Sequence, residues 1–206
     1  KEHLLLEGIP ENKIFVVGNP IVDIVNLYRD RAATQSSILQ QLKLTRGAYI
    51  LVTLHRQENV DDSTVLAGLI QGLEKTSEAL GLPIYFPMSY RTEKRLLESN
   101  ITIPSTIVKT PPIGFFDFLN AEQNAALIIS DSGTVQEEAC ILQIPCVVTR
   151  MSTERPETIE VGGCMLTGTE PDQIVKAAQQ LIHTDRTWQH ILGDGRTSER
   201  IIDHIV

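Results

Sequence analysis

Short runs of β-branched and aliphatic residues alternate along the chain with longer segments whose apolar residues recur at helical spacing. The runs that predict strands are residues 14–17, 49–54, 84–88, 106–109, 125–129, 145–150 and 164–166. The segments that predict helices are residues 22–42, 63–80 (capped by Ser63), 91–99, 115–124, 135–142, 171–182 and 198–206, with a short helix from Pro156. Nearly continuous apolar strands between helices indicate a parallel sheet covered on both faces.

The predicted fold class is therefore α/β, with a Rossmann-like parallel sheet flanked by helices. The sequence has no internal repeat, no low-complexity tract and no Gly/Ser-rich linker, so residues 1–206 are predicted to form a single domain. Ligands of such sheets bind beyond the carboxyl ends of the strands, and polar motifs follow several of the predicted strands.

Composition narrows the classes of partner. The formal net charge of −8 argues against a nucleic-acid surface, and no apolar run approaches membrane-spanning length, so neither partner is expected. Cys140, Cys146 and Cys164 form no CxxC pair and are predicted to be buried free thiols, which suits a cytoplasmic protein. The histidines have no metal-ligand spacing, and no metal site is predicted.

Residues 130–139, SDSGTVQEEA, join an apolar strand to a helix. The first N–H groups of a helix lack intrahelical partners and, with the helix dipole, form an anion site. Ser132 adds a hydroxyl, and Glu137 and Glu138 follow about one turn later, where a carboxylate reaches a sugar hydroxyl. The hypothesis is a pocket for a nucleoside diphosphate; the alternative is an ordinary turn in which Asp131 or Ser132 caps the helix.

Cationic side chains follow two other predicted strands. His55 and Arg56 can grip phosphate oxygens, and His55 can also act catalytically by donating a proton to a departing phosphate. Arg155 is a second candidate clamp. The alternatives are a solvated loop at His55 and a weak surface pair between Glu154 and Arg155. Because all these motifs meet at one edge of a parallel sheet, the binding interpretation is favoured.

Several motifs together resemble the non-hydrolysing UDP-N-acetylglucosamine 2-epimerases. The matching segments occur in the family's order and span residues 7–200. They are residues 17–23 (VGNPIVD), 50–59 (ILVTLHRQEN), 130–139 (SDSGTVQEEA), 153–157 (TERPE) and 193–195 (GDG).

The resemblance implies a fold of the glycosyltransferase-B kind, in which two Rossmann-like domains face each other and UDP lies mainly on the C-terminal one. It implies that this chain is the C-terminal half, without its N-terminal domain. The family inverts C2 of a UDP-2-acetamido sugar by loss and readdition of UDP, needs no external cofactor and is typically dimeric. Its acid/base carboxylates belong to the N-terminal domain, so this chain alone is expected to be inactive.

Site residues carry over from the matching motifs. The resemblance implies that His55, Ser132 and Gly133 hold the diphosphate, that Glu138 binds the ribose hydroxyls and that Arg155 belongs to the phosphate clamp. The complete predicted set for UDP or a UDP-N-acetyl sugar is His55, Arg56, Ser89, Ser132, Gly133, Thr134, Glu138 and Arg155.

Two positions depart from the family pattern. Ser89, in residues 86–92 (FPMSYRT), stands where the family usually has a site histidine, and Thr134 replaces a second glycine. Threonine is disfavoured there if the backbone needs a positive φ and is tolerated if the helix has already begun. Two further functions stay open: the donor domain of a glycosyltransferase with the same fold, and a non-catalytic module that senses nucleotide sugars.

Overall fold

The computed structural model describes residues 1–206 and contains one six-stranded parallel sheet. The strand order is β3-β2-β1-β4-β5-β6, which is the doubly wound Rossmann order. The strands are β1 (Ile50–Thr53), β2 (Ile84–Pro87), β3 (Ile107–Thr110), β4 (Leu127–Ser130), β5 (Cys146–Val148) and β6 (Cys164–Leu166).

Helices fill the connections between the strands. They are α1 (Glu2–Leu6), α2 (Pro20–Gln35), α3 (Ile38–Gln41), α4 (Gln57–Val60), α5 (Ser63–Leu80), α6 (Tyr90–Glu98), α7 (Phe115–Gln123), α8 (Gly133–Leu142), α9 (Pro156–Glu160), α10 (Pro171–Leu181) and α11 (Thr197–Ile205), with a 3₁₀ helix at Glu11–Lys13. None of these helices is long and apolar enough to cross a membrane.

The two faces of the sheet bury separate apolar clusters. On one face α5 and α10 pack on the strands, and their close approach depends on Gly72, where an added Cβ would lie 3.1 Å from Pro171 Cα. On the other face α3, α7 and α8 supply apolar side chains that include Val135 and Ala139. The prediction of a parallel sheet covered by helices on both faces is confirmed, and the three cysteines are buried and free as expected.

The structure corrects three predictions. Residues 14–17 form no strand; they run outside the sheet as extended chain, and Val16 is 72% exposed. This segment pairs with no strand of the sheet, and a β-branched pattern without a pairing partner does not make a strand. The segment 22–42 forms two helices, α2 and α3, rather than one. Asp62, not Ser63, caps α5, because its carboxylate accepts from the N–H groups that follow.

The strand order places a crevice at the middle of the sheet. β1 and β4 are neighbours, and Thr53 lies opposite Ser130 at their carboxyl ends. The helix α5 that follows β1 packs on one face, whereas α8 after β4 packs on the other. The chain segments that leave these strands therefore diverge, and the resulting crevice is where doubly wound sheets bind ligands.

Candidate functional site

Asp131 lies at the centre of this crevice and is fully buried. Its Oδ2 accepts from the backbone N–H of His55 at 3.0 Å and of Arg56 at 2.9 Å. The Asn59 amide donates to the same oxygen at 3.1 Å. We call these four residues the Asp131 cluster; it fastens the turn after β1 to the turn after β4.

The Asp131 cluster orients the two cationic residues of the β1 turn. His55 Nδ1 lies 3.2 Å from Asp131 Oδ1, while half of the His55 side chain is exposed to the crevice. Arg56 Nε donates to the Asp131 carbonyl at 2.8 Å, which uses one of its donors within the protein. His55 is therefore free to meet a ligand, whereas Arg56 mainly holds the turn.

The start of α8 is shaped by two serines. Ser130 Oγ accepts from the Ser132 N–H at 2.9 Å, and Ser132 Oγ caps the helix by accepting from the Val135 N–H at 3.4 Å. The first-turn N–H groups of Gly133 and Thr134 have no intrahelical acceptor and remain for an anion. Ser132 thus caps the helix while two donors stay available.

The helix has already begun at Thr134. α8 starts at Gly133, and neither residue has a positive φ. The threonine is consequently tolerated at this position without backbone strain. Gly133 matters for another reason: a Cβ placed on it would lie 3.1 Å from the Cζ and Nε atoms of Arg155.

Arg155 therefore lies directly over the first turn of α8. Its Nε is 3.2 Å from Glu137 Oε1, and that carboxyl also accepts from Asn19 Nδ2 at 2.8 Å. A groove of about 580 Å³ opens beside Asn19, Glu137 and Arg155. The guanidinium and the α8 amides can contact one anion together, as expected for a phosphate clamp.

The predicted surface pair between Glu154 and Arg155 is a minor contact. Glu154 forms two hydrogen bonds with Arg150, at 2.8 and 2.9 Å, and lies 3.4 Å from Arg155. The Arg150 guanidinium lowers the pKa of Glu154 to about 2. Glu154 is thus held mainly by Arg150, whereas the main acidic partner of Arg155 is Glu137, at 3.2 Å.

Ser89 borders a second cavity, of about 190 Å³, that also contains His55 and Val135. The Ser89 hydroxyl caps α6 by accepting from the Thr92 N–H at 3.1 Å. Thr92 in turn donates to the Leu54 carbonyl at 2.6 Å. The serine at the unusual position therefore faces the site and also stabilises a helix start.

Glu138 is 6% exposed and lies beside the fully buried Glu122 of α7. Burial, followed by the neighbouring Glu138 carboxyl, raises the pKa of Glu122 well above its usual value. Burial also raises the pKa of Glu138 to about 7. No N–H or O–H group of the protein donates to either oxygen of Glu122.

The family model described as UDP-N-acetylglucosamine 2-epimerase matches residues 1–206. The chain belongs to this family. The UDP-N-acetylglucosamine 2-epimerase of Methanocaldococcus jannaschii is 41% identical over 98% of this chain and 57% of that protein. The corresponding protein of Methanococcus maripaludis is 37% identical over the same shares.

A solved structure of the epimerase from Methanocaldococcus jannaschii, in complex with UDP-GlcNAc and UDP, superposes with a TM-score of 0.93 at 40% identity. It is matched over 99% of this chain and 57% of its own length. The chain thus spans somewhat more than half the length of these epimerases. The predicted family and the fold class, a Rossmann-like sheet of the glycosyltransferase-B type, are confirmed.

Within this epimerase family fold, the structure brings most predicted site residues to one edge. His55 and Arg56 follow β1, Ser132, Gly133 and Thr134 begin α8, and Arg155 covers that helix start. The crevice also receives Ser89. Glu138 lies one turn into α8, four residues after the exposed Thr134 and on the same helix face. No group of three or more His, Cys, Asp or Glu side chains is arranged to hold a metal ion.

Two buried carboxyls, Asp131 and Glu122, are absent from the set of site residues that the sequence predicts, yet one lies in the candidate site and the other beside it. The sequence predicts Asp131 only as a possible helix cap, yet its carboxyl holds the turn after β1. Its position directly after a buried strand was the available signal. In the sequence Glu122 looks like an acidic residue on a surface helix. The pattern of residues around it does not predict that it lies beside Glu138.

Proposed function

We propose that the chain is the UDP-binding C-terminal domain of an enzyme that inverts C2 of a UDP-2-acetamido sugar. The observation that carries this proposal is the joint placement of Arg155 and the free α8 amides over one point of the crevice. The family membership and the relative solved with UDP-GlcNAc and UDP support a nucleotide sugar as ligand. A single domain, a homodimeric whole protein and a cytoplasmic location belong to the same proposal.

In this proposal the diphosphate lies against the first turn of α8. The Gly133 and Thr134 amides and the Arg155 guanidinium contact its oxygens, and His55 contacts it from the β1 side. Glu138 accepts hydrogen bonds from the ribose hydroxyls. Ser132 and Arg56 hold the two turns in place. Ser89 contacts the sugar nucleotide from the neighbouring cavity.

This arrangement suits a reaction in which UDP departs. The leaving diphosphate gains negative charge as its bond to the sugar breaks, and donors already aimed at it stabilise that charge without reorganisation. His55, half exposed beside Asp131, is placed to donate a proton to the departing oxygen. The family resemblance assigns the acid/base carboxylates to the N-terminal domain, so we expect the complete protein to supply the base for the sugar C2 from that domain.

Calorimetric titration of the chain with UDP tests the binding step. We expect saturable binding by wild-type protein and a loss of affinity in Arg155→Ala. Arg196→Ala is the matched control because Arg196 is paired with Glu199 on the exposed face of α11. Absence of binding to millimolar UDP by a chain with an intact thermal transition would overturn the proposal.

A second experiment separates the epimerase from the other two candidate functions. The full-length protein should exchange the C2 proton of UDP-N-acetylglucosamine with solvent deuterium, as followed by NMR. Sugar transfer to an acceptor without exchange would instead indicate a glycosyltransferase. Binding of the nucleotide sugar without either reaction would indicate a sensing module. If Ser89→His then restored exchange of the C2 proton, the loss of epimerase activity would be assigned to position 89.

A further inference from the structure

Glu122 is a buried acid for which the proposed chemistry has no use. It lies at the C-terminal end of α7 with no exposed surface, and neither of its oxygens receives a hydrogen bond from a donor of the protein. Burying a carboxyl without a partner is costly. Its single polar neighbour in position to relieve that cost is the Glu138 carboxyl.

The other titratable groups that face the two acids do not satisfy them. The hydroxyl of Tyr49, directly before β1, donates to the Ala121 carbonyl, and the Cys146 thiol of β5 is directed at the Val147 carbonyl. Glu137 faces Glu138 as a further acid. No basic side chain acts on either carboxyl. Two buried carboxyls side by side, with no cation between them, do not both ionise readily, so at least one of them keeps its proton near neutral pH.

We infer that Glu122 is a positioning residue that donates its proton to one oxygen of Glu138 and thereby aims the other oxygen at the ribose of the bound nucleotide. This inference rests on the proposed function. Glu122, with no exposed surface, holds the proton, whereas Glu138, which reaches the same helix face as the exposed Thr134, is the carboxylate. A carboxylate can accept from the ribose hydroxyls, which a neutral acid does less well.

The inference predicts discrimination between UDP and 2′-deoxy-UDP, which differ by one ribose hydroxyl. In wild type we expect UDP to bind about tenfold more tightly, as for a hydrogen bond to a charged group. Glu122→Gln keeps a donor, its side-chain NH₂, and should retain the preference. Glu122→Met has similar length and no donor, so Glu138 loses its orientation and the preference should fall below about threefold.

Calorimetry of both nucleotides with the three proteins is the test. An unchanged preference in Glu122→Met, with UDP still bound, would overturn this inference and leave the proposed function standing. If wild type does not bind UDP at all, the proposed function fails and this inference fails with it. A role for Glu122 in packing alone would weaken both nucleotides equally and would also overturn the inference.

A pH series decides the question if Glu122→Met does not fold. Wild type should gain its preference for UDP as the pH rises from about 6 to about 8, because Glu138, with a pKa of about 7, then becomes a carboxylate while Glu122 keeps its proton. Glu122→Gln has no second carboxyl and should keep its preference across that range. Parallel pH profiles for the two proteins would overturn the inference.

Discussion

Asp131 and Glu122 are both completely buried, yet their surroundings are opposite. The carboxyl of Asp131 accepts from two backbone N–H groups and the Asn59 amide. Neither oxygen of Glu122 receives any donor, and its neighbour is another acid, Glu138. Asp131 directly precedes α8, whereas Glu122 lies beside Glu138 in the second turn of the same helix.

The difference teaches that donors, rather than burial, decide what a buried acid does. A carboxyl that accepts from several N–H groups fixes the backbone segments that carry those groups. A carboxyl that has only another carboxyl as partner must keep a proton, and its position then depends on protonation. The Asp131 cluster therefore makes the candidate site rigid, whereas the Glu122–Glu138 pair is a group whose protonation state can change.

The strongest test of this contrast is Asp131→Ala. The change leaves the His55 and Arg56 amides and the Asn59 side chain without their acceptor. We expect the free energy of unfolding to fall by about 3–5 kcal/mol, measured by urea denaturation. Asp131→Asn keeps one acceptor oxygen and should lose less, and Asp30→Ala, on the exposed face of α2, serves as the surface control.

A loss of unfolding free energy below about 1 kcal/mol in Asp131→Ala would contradict the inference that Asp131 holds the two turns together. It would mean that other contacts, such as the strand pairing of Thr53 with Ser130, hold the two turns together. Asp131 and Glu122 would then differ in their hydrogen-bond partners but not in their contribution to stability.

The next largest effect is expected on binding rather than on stability. Arg155→Ala removes the guanidinium above Gly133 and should weaken UDP binding by about 10- to 100-fold, as for loss of a charge-assisted contact. The Arg155 side chain is about one-third exposed, and the buried Glu137 carboxyl keeps Asn19 as a donor in the variant, so stability should change by about 1 kcal/mol or less. Calorimetry and urea denaturation of the same variant separate the two effects.

Equal losses of binding free energy and unfolding free energy in Arg155→Ala would contradict the expectation that Arg155 acts mainly in binding.

Arg155→Lys tests whether charge or geometry holds the anion, because a lysine keeps the charge but not the planar fork of donors. We expect Arg155→Lys to recover only part of the affinity. Full recovery would indicate that charge alone holds the anion.

The sequence predicts the sheet and the edge that carries the site because both follow from local patterns. Apolar runs of β-branched residues identify β1 and β4, and a parallel sheet collects the carboxyl ends of its strands at one edge. The positions of His55 and Ser132 follow directly. The same reasoning placed a strand at residues 14–17, because a pattern does not reveal whether a neighbouring strand edge exists.

Contacts between distant parts of the chain could not be predicted in this way. Asp131 and His55 are 76 residues apart, and their hydrogen bonds depend on the neighbouring positions of β1 and β4. Glutamate is a residue type that usually lies at the surface, so the sequence gives no reason to expect Glu122 to be buried. Only the packing of α7 against α8 brings it to Glu138. Residue type and spacing carry no information about such pairing.

The acid pair predicts a pH-dependent stability. The pKa of Glu138 is about 7 in the folded protein against 4.5 for its ordinary value, and burial raises the pKa of Glu122 in the same direction. The folded protein then retains protons that the unfolded chain has released. Stability is therefore fully present below about pH 4.5 and falls as the pH rises through about 7.

Glu122→Gln should reduce this slope because it removes one of the two carboxyls. We expect the variant to be more stable than wild type by about 1–3 kcal/mol at pH 8 and nearly equal to it at pH 4, measured by urea denaturation across the pH range. Glu78→Gln, on the exposed face of α5, is the matched control. A stability difference that does not depend on pH would contradict the shared proton.

The smallest expected effect concerns a single donor at the same edge as the Asp131 cluster. Ser89 accepts from the Thr92 N–H at 3.1 Å and begins α6. Ser89→Ala should lower the free energy of unfolding by about 1 kcal/mol, and Ser89→Asp, which can also cap a helix, should restore it. An unchanged thermal transition in Ser89→Ala would show that one satisfied donor at this edge contributes little, so that the rigidity of the site depends on the several donors that converge on Asp131.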